Sequence, residues 1–388
     1  MAEQFFHNAK VYPKADGDAV ADCFAVADGR IVSVGVDTPA AQRIDLDGRV
    51  VMPGFVDCHT HLVWAGDRAA EFALRQAGAD YAAIARAGGG ILATVRALRD
   101  SDEDTLVALA LPRLSALARE GVTQVEIKSG YGLDLDNELK MLRVIRRLAR
   151  EQPLRIQATF LGAHTVPTGR DRGEYLDEVI DVMLPAVAAE GLADAVDIYV
   201  EDIAFSTGDM ARLFAAARDH GLALRAHTGQ FSDAGATAAA CRLGARSCDH
   251  LEYAEADAIA AMAANDTVAV LLPGAFYCLQ ETRRPPVASL REAGVAMAVA
   301  SDANPGTSPL VSLLTALHMS VVLFGLTPAE ALAGVTRHAA RALGTDTGVL
   351  APGRPADFSA WRIDRPAVLA YQLGGLRPDA VYIGGHRL

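Results

Sequence analysis

The sequence predicts an α/β chain: a (β/α)8 barrel carrying a small β-sandwich built from both chain termini. Three observations carry this. Eight apolar, strand-like runs alternate with helical stretches through the middle of the chain. Polar residues of a kind that does chemistry recur where those runs end. Both ends of the chain read as short strands broken by turns. The rival is an open doubly wound sheet, but no Gly-x-Gly-x-x-Gly follows the first strand.

Residues 1 to about 50 are the first strand-rich segment. Phe24 to Gly35 reads as a hairpin around the Asp28-Gly29 turn. The apolar run Val50 to Asp57 is the first barrel strand. The remaining runs end near Lys128, Phe160, Val200, His227, Asp249, Leu272 and Ala300. Helices fall between them, over Glu103 to Glu120, Glu138 to Glu151, Tyr175 to Glu190, Gly208 to His220, Asp233 to Leu243, Glu255 to Asn265 and Val287 to Gly294. Ala356 to Trp361 and Ala380 to Gly385 repeat the strand style of the N-terminus. The expected division is 1–52 plus 348–388 for the composite β unit and 53–347 for the barrel.

The chain has 388 residues, 51% of them hydrophobic, enough for a large core. Its net charge of −12 and the lack of a basic stripe argue against nucleic acid and anionic membranes as partners. Five cysteines match no zinc-ribbon spacing and suit reduced thiols. The N-terminus has neither a basic n-region nor a long apolar run, so a cytoplasmic protein is expected. The apolar stretch Leu310 to Leu326 is short and carries His318, which suits a buried helix. Only four lysines occur, and Lys128 alone lies near a strand end.

Side chains on a strand alternate faces, so Asp57, His59 and His61 point one way at the end of the first barrel strand. The second strand ends in Glu126 to Tyr131, the third in Gly162-Ala163-His164 and the fourth in Glu201-Asp202. The fifth ends in His227, the sixth in Asp249-His250, and the eighth in Ser301-Asp302-Ala303-Asn304. Five of the ten histidines thus fall on one predicted rim. Imidazole and carboxylate ligands suit Zn²⁺ or Fe²⁺. A water bound to such an ion titrates near neutrality, and hydrolysis is the natural reaction class.

The pattern of His-x-His, two later strand-end histidines and a strand-end Asp resembles the amidohydrolase superfamily. Longer segments resemble its imidazolonepropionase branch across nearly the whole chain. These are Asp57 to Val63, Ala87 to Ile91, Glu126 to Leu133, Phe160 to His164, Asp249 to Tyr253, Leu272 to Ala275 and Asp302 to Pro309. The resemblance implies one divalent ion, Zn or Fe, on His59, His61, His227 and Asp302. It implies that Arg68 holds a substrate carboxylate, and that Tyr81, Tyr131, His164, Gln230, Asn304, Gly306 and Thr307 line the pocket. Tyr131 and His164 can equally be packed residues with a satisfied polar tip. His250, Asp302 and Gln230 form the implied catalytic set, with the base left open between His250 and Asp302. The implied substrate is a small anionic imidazolone, and the implied assembly a homodimer.

Two departures stand out. The fifth strand reads His227-Thr228-Gly229-Gln230 where the branch carries an acidic third residue, and the eighth reads Ser-Asp-Ala-Asn where Thr-Asp-Cys-Asn is common. Rival readings are separable. A deaminase would use a glutamate where Gln230 stands, and glutamine cannot titrate. A two-metal hydrolase would take a bridging lysine from the fourth strand, whereas Lys128 is on the second. A non-catalytic relative would be expected to have lost metal ligands.

Overall fold

The computed structural model describes residues 2–78 and 89–388. The N-terminal strands are β1 (Ala2–Val11), β2 (Phe24–Ala27), β3 (Arg30–Val34) and β4 (Ala40–Pro53). The barrel strands are β5 (Phe55–Asp57), β6 (Val122–Lys128), β7 (Arg155–Ala163), β8 (Ala195–Val200), β9 (Ala223–Thr228), β10 (Ser247–His250), β11 (Val268–Leu271) and β12 (Met297–Val299). The chain ends in β13 (Phe358–Trp361), β14 (Ala380–Ile383) and β15 (His386–Arg387).

The termini form one seven-stranded sheet, ordered β15-β14-β13-β4-β1-β2-β3, in which only the β1–β4 pair is parallel. The sheet curls until its two halves face each other, which gives it the section of a sandwich. Phe24 on β2 and Phe358 on β13 are separated by two strands, yet their rings lie 5.0 Å apart. A flat sheet would hold such strands roughly 14 Å apart. Phe6 and Tyr382 complete the cluster, with Tyr382 stacked on Phe358 at 4.4 Å. The Ile31 N–H donates to Arg354 O at 2.9 Å, so the curl nearly closes where the chain approaches β13.

β4 runs directly into β5 through Gly54. A Cβ there would meet Thr123 Oγ1 at 2.2 Å, so only glycine lets this corner pass β6. The eight barrel strands are parallel neighbours in sequence order, β5 to β12. The ring closes at its upper edge, where Thr60 bridges Ala303. There the His61 N–H donates to Ala303 O at 2.9 Å and the Asp302 N–H to His59 O at 3.0 Å.

Helices cover the barrel where the periodicity places them, within a few residues: Glu103–Ala118, Leu135–Glu151, Thr207–Asp219, Ala236–Arg242, Ala256–Asn265 and Val287–Glu292. Asp102, Asp134 and Ser206 cap three of these by accepting backbone N–H bonds. The stretch expected as one helix from Tyr175 to Glu190 contains a π-helical turn, Val179–Met183. Pro185 follows it, and a wider turn relieves the clash of a proline ring with the carbonyl one α-turn earlier. The apolar stretch near residue 310 is the helix Leu313–Phe324, capped by Ser312. No helix among the described residues is long and apolar enough to cross a membrane.

The aromatic cluster gives a stability prediction. Phe358 is fully buried. Phe358→Ala should cost ~3–5 kcal/mol, because surrounding rings cannot collapse fully into the space. Urea denaturation followed by tryptophan fluorescence measures this, and a cost below 1 kcal/mol would mean that the curled sheet is not a cooperative part of the fold.

Candidate active site

Barrel interiors are usually filled by branched apolar side chains. This one is polar. Gln124, Glu126 and Lys128 are successive inward positions of β6, and Arg225 and His227 of β9, with Thr159, Asp197 and Asp249 on the strands between and beyond. Arg225 Nη1 donates to Glu126 Oε1 at 2.5 Å and its Nη2 to Gln157 Oε1 at 2.8 Å. Lys128 Nζ donates to Glu126 at 3.0 Å and to Asp197 Oδ2 at 2.7 Å, and lies 3.7 Å from Asp249 Oδ2. Burial disfavours this ammonium; the Asp197, Glu126 and Asp249 carboxylates outweigh it and hold it above the usual lysine range. Lys128, the lone lysine near a strand end, is therefore an ion-pair hub.

The histidines sit one layer above. His59 Nδ1 bonds Asp249 Oδ2 at 2.6 Å, and His227 Nδ1 bonds Asp197 Oδ1 at 3.1 Å. A carboxylate can only accept, so Nδ1 carries the proton and Nε2 keeps its lone pair. The His59 Nε2 atom is buried and has no hydrogen-bond partner. One ligand atom each from His59, His61 and His227 fall within 4.8 Å of one another. Asp302 Oδ1 stands 3.4 Å from His59 Nε2 and 3.6 Å from His61 Nε2. Burial lowers His59, His61 and His250 well below the usual histidine range, so they are neutral near pH 7. Burial also depresses His227, but the Asp197 carboxylate outweighs it and the net direction is upward. Burial pushes Asp302 up to about 7 and Asp249 up to about 6.

This donor set fits a metal ion. Neutral imidazoles with an outer carboxylate behind them are the usual arrangement of ligating histidines. The barrel interior also holds more carboxylates than cations, a deficit that a divalent ion would offset.

Three loops shape the rim, each tied by one buried side chain. The Glu138 carboxylate accepts from the N–H groups of Gly130, Gly132 and Leu133 at 3.1, 2.7 and 2.9 Å, which fixes Tyr131 over the site. The Tyr131 ring is 5.8 Å from His61, and His164 stacks on His61 at 5.3 Å. The Glu201 carboxylate accepts from the N–H groups of Gln230 and Phe231 at 2.8 and 3.0 Å and from Ser232 Oγ at 2.6 Å. Support for the loop after β9 thus comes from the preceding strand. Gly229 in that loop has φ +71°, and a Cβ would lie 3.3 Å from Leu251 Cα. Glycine at this place answers a backbone requirement. Asn304 donates to Asp302 O at 2.7 Å and accepts from Gly306 N and Thr307 N at 2.9 and 2.8 Å, so its side chain is consumed in shaping its own loop.

The loops enclose a cavity of about 680 Å³ above the histidines. Arg68, Tyr131, His164, Gln230, His250, Asn304 and Thr307 line it with His61, His227 and Asp302. His59 is buried beneath, and Gly306 packs against the Arg68 guanidinium. Gln230 Oε1 accepts from the Tyr199 hydroxyl at 2.9 Å. Tyr81 lies outside the described residues. The sequence reading left out Asp197, Glu71, Arg75 and Tyr199. The polar alternation along β6 and β9 signals an ionic interior, and hence a role for Asp197. Nothing local in the sequence signals the other three.

A model of the amidohydrolase family matches residues 50–388. The imidazolonepropionase of Ralstonia nicotianae is 55% identical over 96% of this chain and 94% of its own. That of Paracoccus denitrificans is 54% identical over 92% of each. Among solved structures, the atrazine chlorohydrolase of Arthrobacter aurescens complexed with zinc superposes with a TM-score of 0.78 at 18% identity, over 99% of this chain and 95% of the other. An adenosine deaminase of Xanthomonas campestris with bound zinc gives 0.74 at 18% identity, over 100% and 92%. At such identities these two structures speak to the fold alone.

Two variants probe the site. Asp249→Asn keeps the shape but takes the carboxylate from His59, and zinc affinity should fall about 10- to 100-fold; competition with a chromophoric chelator reads it, and unchanged affinity would mean that His59 is not held through Asp249. Gly229→Ala forces a side chain into the left-handed region, and should lower stability by about 1–2 kcal/mol in chemical denaturation.

Proposed function

The chain belongs to the amidohydrolase family, grouped there with the imidazolonepropionases, and on that premise we propose that it hydrolyses the cyclic amide of 4-imidazolone-5-propanoate to N-formimidoyl-L-glutamate in histidine degradation. The observation that carries the reading is the convergence of three imidazoles and Asp302 at the floor of a cavity with Arg68 on its wall.

His59, His61, His227 and Asp302 would hold one divalent ion, zinc or iron. Such an ion, when bound, lowers the pKa of water towards neutrality and polarises a carbonyl oxygen. The remaining work falls to the chain. Hydrolysis adds oxygen to the ring carbonyl carbon, breaks its bond to nitrogen, and delivers a proton to that nitrogen. His250 is suited to move the proton: it is neutral, its Nδ1 is buried without a hydrogen-bond partner, and its ring is 5.5 Å from that of His227. Asp302 is the other candidate base.

Arg68 would anchor the propanoate tail. Its Nε and Nη2 are already bonded to Glu71, and Nη1, which makes no bond to Glu71, is the end offered to the substrate. Anchoring the tail holds the ring in place and removes part of the entropic barrier. Tyr131 and His164 would wall the ring. The Tyr199 hydroxyl donates to Gln230 Oε1, and Gln230 lines the cavity with an amide that cannot titrate. That disfavours deaminase chemistry, which needs an acid there. A cytoplasmic location and a homodimer belong to the same reading.

The deciding experiment gives purified, zinc- or iron-loaded protein enzymatically made 4-imidazolone-5-propanoate and follows loss of its ultraviolet absorbance. Chelator-sensitive loss with formation of N-formimidoyl-glutamate is expected, with one metal per chain by elemental analysis. No turnover by the loaded protein would overturn the substrate assignment. His250→Ala should lower kcat by at least ~100-fold; a kcat near that of the unaltered protein would remove His250 from the proton path and leave Asp302.

A further inference from the structure

Arg68 does not face the cavity with a free guanidinium. Glu71 takes its Nε at 2.8 Å and its Nη2, and the same carboxylate accepts the Gly90 N–H at 2.7 Å. Nη1 keeps both of its N–H donors and lies against Gly306, where a Cβ would come within 2.0 Å of it. Glycine at 306 therefore makes the room that Arg68 occupies.

A second arginine stands on the same helix. The helix Ala69–Gln76 begins at Arg68, and Arg75 follows two turns later on the same face. Arg75 lines the same cavity. Its Nη2 reaches Gly306 O at 3.3 Å, so both guanidinium groups converge on that residue. Its Nε is buried with no hydrogen-bond partner, and among the described residues no carboxylate pairs with Arg75. A buried donor on a cation is costly to leave unmade, and a ligand carboxylate is the acceptor that would satisfy it. Two guanidinium groups and one carboxylate leave a single positive charge facing the cavity, which suits one anionic tail.

We propose that Arg75 is the second arm of a carboxylate clamp: its Nε and the Nη1 of Arg68 grip the substrate's side-chain carboxylate, while Glu71 fixes the position of Arg68. This rests on the substrate reading above. It divides the labour on the helix, with Arg68 held as the rigid arm and Arg75 supplying the donor that is unmade until ligand arrives. Selectivity for an anionic tail follows, because a neutral substrate leaves the Arg75 donor buried and unsatisfied.

The test uses the zinc-loaded protein and two probes in isothermal titration: imidazole-4-propanoate, which carries the tail, and 4-methylimidazole, which lacks it. Arg75→Gln should weaken imidazole-4-propanoate about 10- to 100-fold and leave 4-methylimidazole unchanged. Arg75→Lys, which keeps the charge without the fork, should fall between. Equal weakening of both probes, or no weakening of either, overturns the clamp. The substrate reading is separable from it. If the unaltered protein turns over 4-imidazolone-5-propanoate while Arg75→Gln still binds imidazole-4-propanoate normally, the clamp falls and the activity stands. If the unaltered protein fails to turn over that substrate yet binds the tailed probe through Arg75, the clamp stands and the ring assignment falls.

Discussion

The buried ammonium of Lys128 is the interaction on which the site depends. Among the described residues it is the lysine or arginine that pairs with Asp197 and lies within reach of Asp249, and those two carboxylates are what orient His227 and His59. Without it, two carboxylates under the histidines would face each other in a medium that penalises charge, and at least one would protonate. A protonated carboxyl can donate to a histidine, and the imidazole would then present the wrong nitrogen upward. The ionic layer is weak evidence for stability, since buried pairs barely repay their desolvation. Its value lies in fixing two tautomers. Arg225 extends the logic downward by holding Glu126, the third partner of Lys128.

The second constraint is the seam between the first and last barrel strands. β12 stops at Val299, and the closure is made by backbone just beyond it, from Ser301 to Ala303. Asp57 caps the seam by accepting from Ser301 N and Oγ at 3.1 and 2.6 Å. Asp302 sits there with φ +51°, and across the barrel His250 and Leu251 have φ +83° and +72°. Non-glycine residues in this region cost about 1–3 kcal/mol each, and such strain is characteristic of working sites held by a rigid surround. The parallel bridge at Thr60 and Ala303 therefore does two jobs: it completes the barrel, and it brings the carboxylate of the last strand to the histidines of the first.

Much of this was legible in the chain. Alternation of strand-like runs and helices gave the barrel: strands such as β11 (Val268–Leu271) and β12 (Met297–Val299), covered on both faces, read as continuous apolar runs, while β6 and β9 keep polar residues on their inward face. The rim histidines were legible because strand ends are where a barrel presents side chains. The π turn before Pro185 was not, since one extra residue in a helix hardly disturbs a hydrophobic period. Arg75 was hidden for a different reason: its role follows from what Glu71 does to Arg68, a side-chain partnership that spacing alone does not reveal. Gly229 looked like a missing acid. In three dimensions it is a left-handed backbone position, with the supporting carboxylate supplied by Glu201.

β4 has a temporal consequence. It pairs with β1 on one side and with β13 on the other, Val50 opposite Trp361, so one edge is claimed within moments of synthesis and the other only after the whole barrel has been made. During translation the strand that feeds the first barrel stave carries an open row of N–H and C=O groups. Contacts between such distant stretches form slowly. A chain cut short between the last barrel strand and β13 would be a nearly complete barrel with an adhesive flank.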